Sequence, residues 1–467
     1  MTVQGIKLLR KREIHIMEKK GLMTEGSIYK KIILFSIPLL LGNFFQLMYN
    51  TIDSVVVGNF VGSTALAAVG ASTPIINFMI AFFMGLSSGA GVVVSRYYGA
   101  RKVDEESRAV HTFILFSFWF GLALSAVGVL SASTILHWMG TPADTIAQAE
   151  SYLSIYFAGN LFVTIYNAGT GILQAVGDSK SPLYFLIISS ILNVFLDLFC
   201  VIVLKMGVAG AAVATIISEA VSMVLVLGVL LRTKQEYKLT LSKLHIDRHI
   251  LGEIVHIGVP TGLQGMIVSV SNVAVMSYIN GFGSASVAGF SGANKFDNFL
   301  GLPVNSFALA VTTFVGQNLG AGKYERVKKG VHATLIMSIV TVVILGAAVM
   351  IFADQCIGMF SQNKEVIQAG AIIIRTMCPY YFTLCLHQVW SGALRASGRS
   401  SVPMFTSVIA FVAIRQIYLS VVLNMYHNIV VIGYGYSVTW AIAACLTGAY
   451  YFGSHWLKKE EVRDAAL

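Results

Sequence analysis

Charge is scarce in this chain: only 12% of its 467 residues are Asp, Glu, Lys or Arg, about half the roughly 25% of a soluble domain. With 56% hydrophobic residues and a mean hydropathy of +0.75, an ordinary water-facing surface is excluded. Only eight prolines and no long polar tract leave no room for a large extramembrane domain. Cysteine chemistry is equally thin. Cys200, Cys356, Cys378, Cys385 and Cys445 stand singly, with no CxxC and no Cys/His ligand set, so they read as small buried hydrophobes. Walker, dinucleotide-glycine, HExxH and GxSxG motifs are missing, so the sequence is not read as an enzyme and calls for no cofactor. The basic start, residues 1–30, lacks the apolar core of a cleavable signal and reads as a cytoplasmic tail or surface helix.

What is present is a series of apolar runs long enough to cross about 30 Å of hydrocarbon. They lie near 31–56, 65–95, 109–131, 147–171, 183–204, 208–231, 253–278, 286–315, 331–353, 367–391, 403–425 and 430–453. Twelve spans put both termini on one side. If that side is the cytoplasm, inner segments hold 27 of the 32 Lys and Arg residues, while outer loops hold only Lys205 and Lys364. Such a bias sets orientation in the plasma membrane, so the net charge of +10 is topological and nucleic acid is not a partner.

The most polar internal stretch, 232–252, divides the spans into six and six. GILQAVGDSKSP at 171–182 aligns without a gap on GALRASGRSSVP at 392–403, an offset of 221. The same offset pairs Asn77-Phe78 with Asn298-Phe299, Gly99-Ala100 with Gly320-Ala321, and His111 with His332. The chain therefore reads as an all-α integral membrane protein of two six-helix bundles, 31–231 and 253–453. A cytoplasmic linker, 232–252, joins these parallel repeats, and a cytoplasmic tail follows at 454–467. Pro38 and Pro260 early in each first helix, and Pro74 and Pro303 in each second, are candidate bend points.

Three spans carry polar seams. Ser189, Asn193 and Asp197 recur every four residues and share one helix face. Asn43, Gln46, Asn50 and Asp53 form a second stripe, and Thr215, Glu219 and Ser222 a third. Intramembrane carboxylates are expensive and face a protein interior or an aqueous cavity. At 1.5 Å per residue, Asp53, Asp197 and Thr215 fall at a similar depth, as a shared site requires. Two carboxylates brought together out of water disfavour double ionisation. They exchange a proton, or they hold Na⁺ with Asn193 and Thr215 supplying neutral oxygens. Glu219 lies deeper on the Thr215 face and is a candidate for the proton path.

Charges elsewhere leave alternatives open. Asp297 and Lys295 contact other helices or line a cavity; Arg375 and Arg415 neutralise carboxylates, attract anionic groups or snorkel. Asn43, Gln46, Asn50, Tyr166, Asp297, Arg375 and Trp390 are the candidates for lining a substrate cavity, the aromatics by stacking. Without an ATPase motif, uphill transport requires an ion gradient or a separate motor.

The repeated GxLxAxGxSxxP turn, YNTIDSVVVG at 49–58 and ILNVFLDLFCVIVLKMGVAGAAVAT at 191–215 strongly resemble the multidrug and toxic compound extrusion transporters, bacterial branch. The resemblance runs from about residue 28 to 457. It implies a central V-shaped cavity and export of small amphiphilic or cationic compounds by antiport against Na⁺ or H⁺. It also implies ion coupling through Asp53, Asn193, Asp197 and Thr215. Second-bundle carboxylates of some members have no counterpart, since none lies between Ile254 and Tyr278 and the tenth span carries Arg375. Fusion of the two halves makes a monomer sufficient, with membrane lipids as neighbours. The rival expectation is a flippase for lipids or lipid-linked oligosaccharides, whose anionic headgroups would suit Arg375 and Arg415.

Overall fold

A computed structural model describes residues 22–465; of the tail expected over residues 1–30, residues 1–21 lie outside the described residues. The first half comprises α1 (Ile28–Phe60), α2 (Ser63–Ala100), α3 (Val103–Trp138), α4 (Ile146–Ala158 and Asn160–Ala175), α5 (Lys180–Leu198) and α6 (Gly207–Arg232). The second comprises α7 (Arg248–Asn280), α8 (Ser284–Gly320), α9 (Tyr324–Ile351), α10 (Lys364–Met377 and Tyr381–Ala396), α11 (Ser401–Ser407 and Arg415–Met425) and α12 (Val430–Gly453). A surface helix, α13 (Trp456–Ala465), follows. Among the described residues, 11 helices are long and apolar enough to span a membrane; the remaining span is α4, divided at Gly159.

The repeat seen in the sequence reappears in the backbone. Shifting the first-half helix starts by the same offset reproduces those of the second half within a few residues, whereas α9 ends at Ile351, earlier in the repeat than its mate α3. Gly177 and Gly398, repeat mates, both hold left-handed φ values of 88° and 80°. At these chain reversals a side chain would strain the backbone.

The helices run unbroken through Pro38, Pro74, Pro260 and Pro303. The breaks in the helices lie elsewhere. The α4 break at Gly159 faces Ile216 of α6, which leaves no space for a Cβ. The α10 break is a 3₁₀ turn at Cys378–Tyr380, the same place in the repeat. Residues Phe199–Val203 of α5 and Val408–Ile414 of α11 are π-helical.

Helix α5 is inverted relative to a helix of a soluble protein. Its buried face carries Ser189, Asn193 and Asp197, whereas Tyr184, Ile188, Ile191 and Phe195 are exposed. Only an apolar solvent favours that arrangement.

The cores explain how the lobes join. Toward the end away from the termini, Val56, Val69, Leu136, Leu153 and Val201 form a cluster from the first half alone. A matching cluster around Val275, Phe290, Ile374, Tyr381 and Trp440 belongs to the second half alone. At the termini end the cores mix. Ile250, Ile254 and Ile257 of α7 pack into the first lobe, and Ile32, Phe35 and Leu39 of α1 pack into the second. Each lobe thus borrows the start of the other's first helix.

Glycine makes that crossing possible. A Cβ at Gly89 would lie 2.5 Å from the Ile254 carbonyl oxygen, and one at Gly258 would lie 2.7 Å from Leu86 Cα. Backbones approach this closely only where side chains are absent. Polar ties reinforce the seam. Buried Gln317 accepts from Met23 N at 2.8 Å and donates to the Ala175 carbonyl at 2.8 Å. Arg96 Nε donates to the Ala396 carbonyl at 2.9 Å.

The linker is stitched to α3. Arg108 pairs with Asp247 at 2.9 Å, Thr112 Oγ1 accepts from Asp247 N at 3.0 Å, and His111 Nε2 accepts from Thr240 N at 2.9 Å. Asp247 also caps α7, accepting from His249 N and Ile250 N. The Ile250 N–H holds its carboxyl below the ordinary carboxylate range, aided by His249 N and Arg108 against partial desolvation.

Two consequences are measurable. Gly89→Ala forces its Cβ onto backbone, so thermal unfolding of the purified protein should show a loss of about 1–3 kcal/mol. An unchanged midpoint would mean that the seam is loose. Asp247→Ala removes a helix cap, at a cost of about 1 kcal/mol. Because the folded carboxyl titrates below the unfolded one, that stabilisation is present above the unfolded value and fades as pH falls through the folded value. The difference in unfolding midpoint between the two proteins should therefore narrow in acid; a constant gap would assign the effect to packing.

Candidate functional site: a paired-carboxyl pocket beside a central cavity

Asn43, Gln46, Asn50 and Asp53 repeat along one face of α1, and that face lines a cavity of about 350 Å³ within the first lobe. Its other walls come from α2, α4, α5 and α6, including Tyr152, Tyr156, Tyr166, Thr215 and Glu219. Tyr49 Oη donates to Thr215 Oγ1 at 3.4 Å, tying α1 to α6. No Lys or Arg lines this space.

Asp53 is 8% exposed and forms part of the wall. Behind it, Asn193 and Asp197 are both 0% exposed. The Asp53 and Asp197 carboxyls come within hydrogen-bonding reach of each other. Both oxygens of Asp197, both amide atoms of Asn193, Oδ1 of Asp53 and Oε2 of Glu219 have no protein hydrogen-bond partner among the described residues. Buried polar atoms demand partners, and two adjacent carboxylates without a cation repel. A shared proton answers both demands; so does a small hard cation, for which these oxygens are suitable ligands.

A larger open cavity of about 720 Å³ lies between the lobes. It shares Asn43, Gln46, Asn50, Asn167 and Gln174 with the first-lobe pocket, so the two spaces are continuous. The second lobe contributes Asn298, Asn305, Thr312, Gln388 and Arg395.

Three cavity candidates from the second half lie outside both spaces. Asp297 accepts from the Tyr381 hydroxyl and borders a small gap beside Cys378. Arg375 forms an ion pair with Asp354 at 2.5 Å, both half-exposed. Trp390 stacks on Tyr451 at 6.0 Å and covers Gly448. Arg415 is a structural tie: it is 2% exposed, donates to Asn272 Oδ1 at 2.9 Å and to Thr439, and lies 4.4 Å from the Tyr436 ring centre. Lys295 sits 4.7 Å from the Phe360 ring centre.

Tyr49, Tyr152 and Tyr156 are wall residues outside the polar seams. A signal was present: Tyr49 stands four residues before Asp53, and Tyr152 and Tyr156 are themselves four apart. Arg395 was counted with the inner loop because hydropathy falls after residue 391; α10 continues to Ala396 and turns this arginine to the cavity.

The MatE family profile matches residues 38–199 and again 260–445, one match per lobe. The probable multidrug resistance protein YoeA of Bacillus subtilis is 29% identical over 461 residues, covering 96% of this chain and 98% of the relative. The probable multidrug resistance protein YpnP of the same organism is 28% identical over 437 residues, covering 93% and 97%. A solved structure described as the outward-facing conformation of a multidrug resistance MATE family transporter of the MOP superfamily has the same fold. It superimposes with a TM-score of 0.89 at 22% identity, covering 94% of this chain and 99% of that one. With the profile repeated in both lobes, this chain belongs to the MatE family and is a membrane transporter, not an enzyme.

Proposed function

We propose that the protein is a plasma-membrane antiporter that exports small amphiphilic or cationic organic compounds, driven by H⁺ or Na⁺ exchanged at Asp53 and Asp197. The observation that carries this reading is the contact between two buried carboxyls with unfilled acceptor positions, Asp53 in the wall of a pocket that shares lining residues with the central cavity and Asp197 behind it. The names of the two Bacillus relatives support drug compounds as the cargo. Both termini are assigned to the cytoplasm from the excess of basic residues at that end. The cavity then opens outward, and the glycine seam is the cytoplasmic seal.

In this reading, substrate enters from the cytoplasm or inner leaflet while the seal is parted. On the outward-open side, a proton or Na⁺ occupies the Asp53–Asp197 pair. Helix α1 spans the two lobes and forms the pocket wall, so a change of charge at Asp53 reaches both. Release of substrate outward and carriage of the ion inward complete alternating access. One elementary charge crossing 100 mV supplies about 2.3 kcal/mol, roughly 50-fold accumulation.

The test is ethidium efflux from proteoliposomes with Na⁺ and pH gradients imposed separately. One gradient should drive efflux, and Asp197→Asn should abolish it. Undiminished gradient-driven efflux by that variant would overturn the role of the pair, and headgroup-dependent lipid movement without dye export would favour a flippase. A companion measurement separates coupling from architecture. Asp197→Asn relieves a like-charge contact at nearly constant volume, so its unfolding midpoint should be unchanged or higher. A fall of several degrees would make Asp197 a structural tie.

A further inference from the structure

The central cavity carries one formal charge among its lining residues, and it is positive. Arg395 stands in the last turn of α10 and lines the cavity together with Gly85 of the glycine seam. Its Nε is buried without a hydrogen-bond partner, and no described side chain accepts a hydrogen bond from the guanidinium or forms an ion pair with it. No Asp or Glu lines this cavity; Asp53 and Glu219 line the neighbouring pocket.

Nearby groups do not supply the missing partner. His387, two turns earlier on α10, is committed to Thr447 Oγ1 at 2.9 Å and Ser407 Oγ at 3.0 Å. Arg96, across the seam, is cationic and engages the Ala396 carbonyl and Glu460. Around Arg395 the lining is neutral and hydrogen-bonding: Gln174, Gln388, Thr312 and Thr313. Gln174 is the repeat mate of Arg395 in the first half. The two therefore face one cavity from equivalent positions, and only the second carries charge. A guanidinium remains ionised in any folded state, and its planar fork matches a carboxylate or phosphoryl group.

Within the transporter reading above, we propose that the inner end of the central cavity is an anion subsite in which Arg395 binds the carboxylate or phosphoryl group of an amphiphilic substrate. The polar but uncharged remainder of the cavity accommodates the body of the molecule. The chain then accepts anionic and zwitterionic compounds as well as cations, with the acidic first-lobe pocket and the Arg395 end forming opposite poles of one space.

The experiment measures equilibrium binding of carboxyfluorescein and, separately, ethidium to the purified full-length protein by fluorescence anisotropy. It compares the unsubstituted protein with Arg395→Gln and Arg395→Lys. Gln reproduces the residue of the other half, and Lys keeps the charge but loses the fork. The ratio of carboxyfluorescein to ethidium affinity should fall roughly tenfold or more in Arg395→Gln, with Arg395→Lys intermediate. An unchanged ratio in Arg395→Gln, or no carboxyfluorescein binding by the unsubstituted protein, would overturn the subsite. Binding needs no gradient, so failure of ion-coupled export and failure of the subsite are separate results. Repeating the titration in phosphatidylcholine nanodiscs with and without phosphatidylglycerol identifies the source of the anion. Competition by phosphatidylglycerol that disappears in Arg395→Gln assigns the subsite to a lipid headgroup. Retained dye binding without competition assigns it to soluble organic anions; both results support the anion chemistry.

Discussion

Asp53 and Asp197 face each other beside a pocket that no described Lys or Arg lines, and the first lobe buries that contact. Helix α5 keeps its polar face inward and its apolar face outward, which is stable only in lipid. Helix α1 brings Asp53 to the same depth while its start packs into the other lobe. A carboxyl pair in this setting is chemically incomplete. In the proposed antiport, a proton or a small cation would complete it.

The two ends of the molecule are built differently. At the end away from the termini each lobe keeps its own core, whereas at the termini end each core includes the start of the other lobe's first helix. Glycines at 85, 89, 258 and 262 bring α2 and α7 into backbone contact. A seam held by close packing has a narrow range of fit, so small rearrangements break it cooperatively rather than stretch it. The helices that form the seam are continuous with those lining the cavities, giving a mechanical route between the carboxyl pair and the seal.

Much of this was legible in the sequence because membrane helices expose their logic simply. A four-residue recurrence placed Ser189, Asn193 and Asp197 on one face, and the ungapped repeat supplied the two lobes. The hidden parts depend on rotation and tertiary contact. Asp297 and Arg375 are as polar as any cavity residue, but Tyr381 and Asp354 take them up elsewhere. Hydropathy ended the tenth span before Arg395, although the helix does not stop there. The prolines are candidate bend points within unbroken helices, whereas a glycine facing Ile216 marks the interruption of α4. A proline announces itself in one sequence position; the Gly159–Ile216 contact exists only after folding.

The central claim is that the carboxyl pair captures an ion in place of a protein partner. Its most direct test is the infrared absorption of the purified protein at neutral pH without Na⁺, compared with that of the Asp53→Asn/Asp197→Asn double variant. A pair that shares a proton gives a protonated-carboxyl band that is lost in the variant and, for a Na⁺-binding pair, also lost when Na⁺ is added. Indistinguishable carboxyl bands in the two proteins would contradict it.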